Sequence, residues 1–417
     1  MPTYRLRCVE CDATYSEDPA LLVCPACSQA QQPGGHTRGV LQVELDELPE
    51  LWPQDQQHRR EWLPLPWNLE LPYFPVGGTP LLPVPALRER LGLPHLWVKD
   101  DTRNPSGSTK DRASWLVCAK ARQYGLRTVA TASTGNAAAA LACCAAAFGL
   151  RAVVFVPAAA PLAKLLHIRA CGATLLAVEG SYDEAFELSS QACRARGWYN
   201  RNTALNPYTI EGKKTAALEI AVQMPEHAVD AVFTGAGDGV ILGGLGKGFA
   251  DLGLAGLLRR PPRLFAVQAG DSDALARGHE AGSADAARVP HAGSVADSLN
   301  VETPRNAVQA LQVLRETKGA CVRVTDDEIR AAVALLGSTT GLFAEPAGAA
   351  SLAGLLRALE LGLVGRDERI VLLVTGGGLK DPAAAGAHFP EARRIAPRLE
   401  AVPEDCRTPL LPFGRPW

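Results

Sequence analysis

The residues best equipped for chemistry sit in Asn104-Pro105-Ser106-Gly107-Ser108-Thr109-Lys110-Asp111-Arg112. Lys110 stands in a small polar loop just ahead of a helical stretch. An amine there is a candidate Schiff-base nucleophile, provided burial favours its neutral form. The competing reading is an ordinary surface lysine, so the rest of the chain must supply a site.

Three other segments share one design, an apolar run followed by small residues and then a helical stretch. They are Thr131-Ala132-Ser133-Thr134-Gly135-Asn136, Thr234-Gly235-Ala236-Gly237-Asp238-Gly239 and Thr375-Gly376-Gly377-Gly378-Leu379-Lys380. Small residues beyond a strand let backbone N–H groups approach an anion at a helix start. Gly235, Ala236, Gly237, Asp238 and Gly239 form the best phosphate cradle. The segment is not a Walker loop, because no Gly-Lys-Ser/Thr follows at the required spacing, and it lacks the ribose-binding acid of a dinucleotide fingerprint.

A fourth group is Cys8-x2-Cys11 and Cys24-x2-Cys27. Four thiolates at this spacing suit tetrahedral zinc, and so short a segment needs a staple to stay folded. Four ligands leave no open position, so the zinc is expected to be structural. The other cysteines include Cys118, Cys143, Cys144 and Cys171, which sit among alanines and leucines and read as small buried hydrophobes. The odd total of 11 cysteines argues against a disulfide framework.

These groups must be held by the elements around them. Strands are expected at 96–99, 128–131, 153–156, 174–178, 231–233, 264–267 and 370–374, and helices at 111–124, 136–148, 161–170 and 182–196. Short, fully apolar strands between helices predict parallel sheet buried on both faces. Residues 1–45 read as a separate zinc-ribbon-like unit, and the Pro- and Trp-rich 46–75 as an extended linker packed on the body. Residues 396–417 read as a short tail, too small for a regulatory domain. Net charge is −2, with 47% hydrophobic and 21% charged residues, a globular composition without the charge of a nucleic-acid or membrane binder. No long uncharged apolar run and no signal-peptide core appear, so the expected location is cytoplasmic.

Taken together, the lysine loop, Ser133-Thr134-Gly135-Asn136, Gly235–Gly239, Glu345-Pro346-Ala347-Gly348-Ala349-Ala350 and Thr375-Gly376-Gly377-Gly378-Leu379-Lys380-Asp381 resemble the fold-type II (tryptophan synthase β-like) pyridoxal-phosphate enzymes. Within them the chain is most similar to the threonine synthases. The motifs keep the family order over residues 76–382, and the four-cysteine segment resembles the front of many threonine synthases. The resemblance implies two open parallel-sheet α/β/α domains with the cofactor between them. The large one is expected at 46–111 and 206–395, the small one inserted at 112–205. It also implies a homodimer. Lys110 would bond the cofactor aldehyde, Asn136 its 3-hydroxyl oxygen and Gly235–Gly239 its phosphate, with the Asp238 side chain turned away. Thr375 would face the pyridine nitrogen, where a hydroxyl leaves that nitrogen largely neutral and suits elimination and replacement. Ser133 and Thr134 would bind the carboxylate of an amino-acid substrate.

The implied reaction converts O-phosphohomoserine and water to threonine and phosphate. The sequence departs from the family where the leaving phosphate is usually held. A segment resembling Asn-Pro-x-Arg-(Ile/Leu)-Glu-Gly-x-Lys reads here Asn206-Pro207-Tyr208-Thr209-Ile210-Glu211-Gly212-Lys213-Lys214. Thr209 replaces the arginine, and Thr109 and Ala113 replace the usual Phe and Gly of the lysine motif. A hydroxyl cannot reproduce a bidentate guanidinium–phosphate contact. Arg201, Lys213 and Lys214 are the candidate replacements. The alternative is a related elimination or replacement enzyme, serine/threonine dehydratase-like or cysteate synthase-like. A third reading, a ribbon protein binding nucleic acid, is opposed by Glu10, Asp12, Glu17 and Asp18, which offset Arg5, Arg7 and Arg38.

Overall fold

In the computed structural model, residues 3–32, 34–290, 293–386, 389 and 391–403 are described, with 56 and 162–164 as backbone only. The expected tail therefore lies outside the described residues from 404 onward. The chain opens with a three-stranded antiparallel ribbon, β1 (Tyr4–Cys8), β2 (Thr14–Tyr15) and β3 (Leu41–Leu45), in the order β2-β1-β3. Residues 46–75 hold one short helix, α1 (Gln56–Glu61), and drive the side chain of Trp62 into the core.

Next come β4 (Leu81–Leu82), α2 (Pro85–Leu91), β5 (Leu96–Asp100) and α3 (Lys110–Gln123). The chain then builds a second sheet with β6 (Thr128–Ala132), α4 (Asn136–Ala147), β7 (Arg151–Pro157), α5 (Leu162–Ala170), β8 (Thr174–Val178), α6 (Tyr182–Arg196) and β9 (Tyr199–Asn200). It returns through α7 (Tyr208–Gln223), β10 (Ala231–Gly235), α8 (Val240–Leu254), β11 (Arg263–Ala269), α9 (Ala274–Glu280), α10 (Ala307–Glu316), β12 (Ala320–Val324), α11 (Asp326–Thr340), α12 (Pro346–Glu360), β13 (Ile370–Val374) and α13 (Pro382–Gly386).

The large sheet has the order β12-β11-β10-β13-β5-β4, parallel except for β4 at one edge. The small sheet, β8-β7-β6-β9, is parallel throughout. Alternate residues of one strand enter different cores, as a pleated strand requires. Ile370, Leu372 and Val374 pack with α11 and α12, whereas Val371 and Leu373 pack with α7, α8 and α10. Helices thus cover both faces, which is why these strands carry almost no polar residues. The edge strand β12 escaped the apolar pattern because its Arg323 reaches outward to Glu280 and Asp273.

The ribbon is less separate than its sequence suggested. Leu6, Leu41 and Val43 share one core with α3, α4 and Leu63 of the following segment. The physical reason is size, since so few residues cannot enclose a core of their own. A polar cluster seals the contact: Lys120 Nζ donates to the hydroxyl of Tyr4 at 2.8 Å and to Glu17 at 3.0 Å. Among the described residues, no helix is long and apolar enough to cross a membrane.

Candidate active site

The carboxyl ends of β5, β6, β10 and β13 open onto one cavity of about 570 Å³. Lys110, Ser133, Thr134, Asn136, Gly235–Gly239 and Thr375 all line it. Residues far apart in the chain meet there because parallel strands deliver their loops to the same end.

Lys110 is the first residue of α3, and the loop before it is fixed by buried charge. Arg112 Nε and Nη2 donate to the two Asp101 oxygens at 2.8 and 2.7 Å, and Arg112 also grips Glu219 at 2.9 and 2.8 Å. Lys99 Nζ joins Glu219 at 2.7 Å. Burial works against the Arg112 charge, but Asp101 and Glu219 outweigh it and hold its pKa well above the usual value. Asp111 accepts from the N–H of Ser106 at 2.8 Å, closing the loop on itself. The Lys110 ammonium has the opposite environment. Burial pushes its pKa down, Glu345 opposes the shift, and Arg201 adds to it. Its amine is therefore biased toward the neutral, nucleophilic form.

The 235–239 turn fits an anion. The N–H groups of Gly237, Asp238 and Gly239 have no acceptor among the described residues, and α8 begins directly after them. Gly239 has φ +81°, a left-handed conformation that favours glycine. The Asp238 carboxylate turns onto the N–H of Arg305 at 3.2 Å, away from the unsatisfied N–H groups. Three unsatisfied donors at a helix N-terminus match a phosphate group.

Asn136 is the first residue of α4, with Gly135 at the cap position. Its Nδ2 donates to both Glu345 oxygens, at 2.9 and 3.0 Å. The family resemblance implies a cofactor oxygen as the partner of that amide. In this structure, a buried carboxylate whose pKa is raised by burial holds the amide at the cavity wall. The Ser133 hydroxyl accepts from the N–H of Gly135 at 3.2 Å, orienting the start of α4. The Thr375 carbonyl accepts from the N–H of Thr109 at 2.8 Å, tying the end of β13 to the lysine loop.

The cavity contains groups that the motifs did not reveal. Tyr182, Arg305 and the segment 297–303 complete its wall. Arg305 lies over the ring of Phe186 at 4.5 Å and donates to Asp183 at 2.8 Å, clamping the small-sheet helix α6. No spacing signal marks them, since Tyr182 opens α6 and the others lie in the connection of ordinary composition between α9 and α10.

The candidate phosphate cations separate cleanly. Thr209 is buried and its hydroxyl donates to the Asn206 carbonyl at 2.8 Å. Lys214 faces away from the cavity, paired with Glu211 and, at 2.9 Å, with Asp251. Lys213 lines the cavity and has no carboxylate partner among the described residues. Burial pushes its pKa well down, Lys110 and Arg201 push the same way, and the Asp238 carboxylate opposes them. Arg201 lies behind Thr203, donating to Ser114 at 3.1 Å and to Thr203 at 3.2 Å, while its buried Nη2 has no partner. Burial lowers its pKa to about 10.

In the ribbon, the sulfurs of Cys8, Cys11, Cys24 and Cys27 all lie within 4.8 Å of one another. The N–H of Glu10 points at Cys8 Sγ, 3.4 Å away, and the Tyr15 hydroxyl is 3.1 Å from Cys24 Sγ. Of the cysteines read as buried hydrophobes, Cys118 and Cys144 are buried. Cys143 and Cys171 are instead partly exposed and face one another beside His167. Periodicity missed this because their helices are separated by a strand.

A half-buried lysine at the mouth of a parallel sheet, sharing one cavity with a turn of unsatisfied N–H groups, defines a class of cofactor enzyme. The model of the pyridoxal-phosphate dependent enzyme family matches residues 73–376, and the chain belongs to that family. It is similar to curated lyases within it. The threonine synthase of Methanosarcina acetivorans is 33% identical over 402 residues, 96% of this chain and 98% of that one. The threonine synthase of Methanocaldococcus jannaschii is 32% identical over 390 residues, 91% and 93% of the two chains. Among solved structures, maize serine racemase has a TM-score of 0.65 at 22% identity, covering 75% of this chain and 91% of that one. Diaminopropionate ammonia lyase from Escherichia coli has a TM-score of 0.65 at 17% identity, with 93% and 98% covered. These two share the fold. The chain is thus a pyridoxal-phosphate-dependent lyase with threonine synthases among its relatives.

Proposed function

We propose that this enzyme converts O-phosphohomoserine and water to threonine and phosphate. The observation that carries the reading is Lys213, a buried amine that lines the cavity with no ion-paired carboxylate among the described residues. Burial biases this amine toward its neutral form, and a bound phosphate would favour the protonated one. Lys213 follows Thr209 by four residues on α7, one helical turn along the same face. It offers a cation in place of the arginine that related sequences carry at the Thr209 position. Arg201, with one buried donor unpaired, adds positive potential.

Bound through Lys110, pyridoxal phosphate supplies an electron sink beside the substrate α-carbon. Gly237, Asp238 and Gly239 would hold its phosphate through their N–H groups, and Asn136 and Thr375 would flank its ring. Ser133 and Thr134 would take the substrate carboxylate. Released by the substrate amine, the Lys110 Nζ would take the α-proton and, once it has given that proton up, would be neutral again to take one from the β-carbon. Lys213 balances the charge of the phosphate as it leaves the γ-carbon. Water then adds at the β-carbon. The ribbon cysteines would hold a structural zinc. The insert 112–205 would close over the cavity as one domain in a cytoplasmic homodimer, excluding water until it is needed.

The test is release of phosphate from O-phosphohomoserine by the purified holoenzyme, with threonine formed in equal amount. No phosphate release, together with 2-oxobutyrate from threonine or pyruvate from serine, would instead establish the dehydratase reading. That second reading is favoured by Thr209, whose hydroxyl is already engaged by the Asn206 carbonyl.

A further inference from the structure

A second cluster of donor atoms lies outside the groups used so far. Cys143 is in α4, His167 in the last turn of α5, and Cys171 at its C-terminal cap. Cys143 Sγ is 3.2 Å from His167 Nε2 and 3.3 Å from Cys171 Sγ. One donor atom from each residue lies within 4.8 Å of those from the other two. His167 and Cys171 are four residues apart, so both project from one face of the helix end. The tertiary fold brings Cys143 to them from a neighbouring helix.

We propose that Cys143 Sγ, His167 Nε2 and Cys171 Sγ form a binding site for a divalent metal ion of the zinc class. Two sulfurs and an imidazole nitrogen are the soft and borderline donors such an ion selects. Binding releases one proton from each thiol, and the two thiolates balance the divalent charge. His167 Nδ1, the ring nitrogen that keeps its proton when Nε2 binds the ion, lies 3.5 Å from Lys380 Nζ, which therefore meets a site with no net charge. Three protein donors leave the fourth tetrahedral position for water. The four-cysteine set of the ribbon leaves no such position.

The location gives the site a consequence. His167 and Lys380 line a side cavity of about 110 Å³ that shares Asn136 and Glu345 with the main one. Lys380 Nζ also donates to the Ser106 carbonyl, in the loop that carries Lys110, at 2.9 Å. An ion held by α4 and α5 would fix the small-sheet layer beside that loop.

The experiment measures bound zinc in the purified full-length holoenzyme after dialysis against metal-free buffer. Wild type is compared with Cys143→Ser, Cys171→Ser, His167→Gln and the ribbon variant Cys24→Ser. Each of the first three should lose one equivalent of zinc per chain relative to wild type, whereas Cys24→Ser should lose a different equivalent. Cobalt substitution adds a second readout: a difference spectrum between wild type and Cys171→Ser should show thiolate-to-metal charge transfer and four-coordinate d–d bands. His167→Gln guards against misfolding of the cysteine variants, with circular dichroism confirming its fold. Unchanged zinc content in folded His167→Gln, or a Cys143–Cys171 disulfide in zinc-equilibrated wild type, would overturn the proposal.

Discussion

Replacing Lys213 with methionine separates binding of an anion from everything else the cavity does. Methionine keeps most of the side-chain volume and removes the charge. A hydrogen bond to a charged group contributes about 1.5–3 kcal/mol. At about 1.4 kcal/mol per tenfold, kcat/KM for O-phosphohomoserine should fall about 10- to 150-fold. The free enzyme should respond with the opposite sign, because Lys213 is buried among other cations and its pKa is pushed down by burial. Removing it should stabilise the ligand-free protein. The pH dependence follows. Below its unfolded value of about 10.4, the unfolded lysine binds more protons than the folded one, so wild-type stability rises with pH between the lowered folded pKa and about 10.4. Lys213→Met should lack that rise. Phosphate binding re-protonates Lys213, so inorganic phosphate should inhibit wild type less as pH increases through the same window. The assays are steady-state phosphate release, phosphate inhibition, and denaturant melts across pH. Deamination of serine, which carries no phosphate, should change little. An unchanged kcat/KM for O-phosphohomoserine in folded Lys213→Met would refute the assignment of the leaving group to this residue.

Lys110→Ala should abolish the visible absorption band of the lysine-linked cofactor and reduce turnover by on the order of 10³-fold or more, read by spectrum and rate. Gly239→Ala places a side chain at φ +81° with its Cβ 2.8 Å from that of Ala310, so cofactor affinity should fall about tenfold or more in a fluorescence titration. Asp111 is buried and its pKa is pushed up to about 6, chiefly by burial. Its folded pKa lies above its unfolded value, so its charge destabilises the protein above pH 6 and this penalty disappears below about pH 4. Asp111→Asn should gain about 2–3 kcal/mol at pH 8 and nothing at about pH 4, measured by denaturant unfolding.

Much of the site was legible because its chemistry is local. A phosphate cradle needs small residues directly after a strand, so 235–239 is visible as a string. The lysine loop likewise announces itself by the small residues before Lys110. Tyr182, Arg305 and the 297–303 wall were not legible, because each reaches the cavity only through packing of one layer on another. The Asn136–Glu345 contact joins residues 209 positions apart, a relation that no local pattern encodes.

The sequence by itself determined the alternation of apolar strands and helices, the order of the loops, and the residue types able to hold a phosphate or carry an amine. These depend on periodicity and on backbone freedom within a few residues. Only the tertiary structure decided which lysine is available to an anion. Lys213 and Lys214 are neighbours in the chain, but one turns to the cavity and the other to Glu211 and Asp251. A helix rotates about 100° per residue, so adjacent lysines meet different surroundings, and those surroundings exist only once the layers have packed.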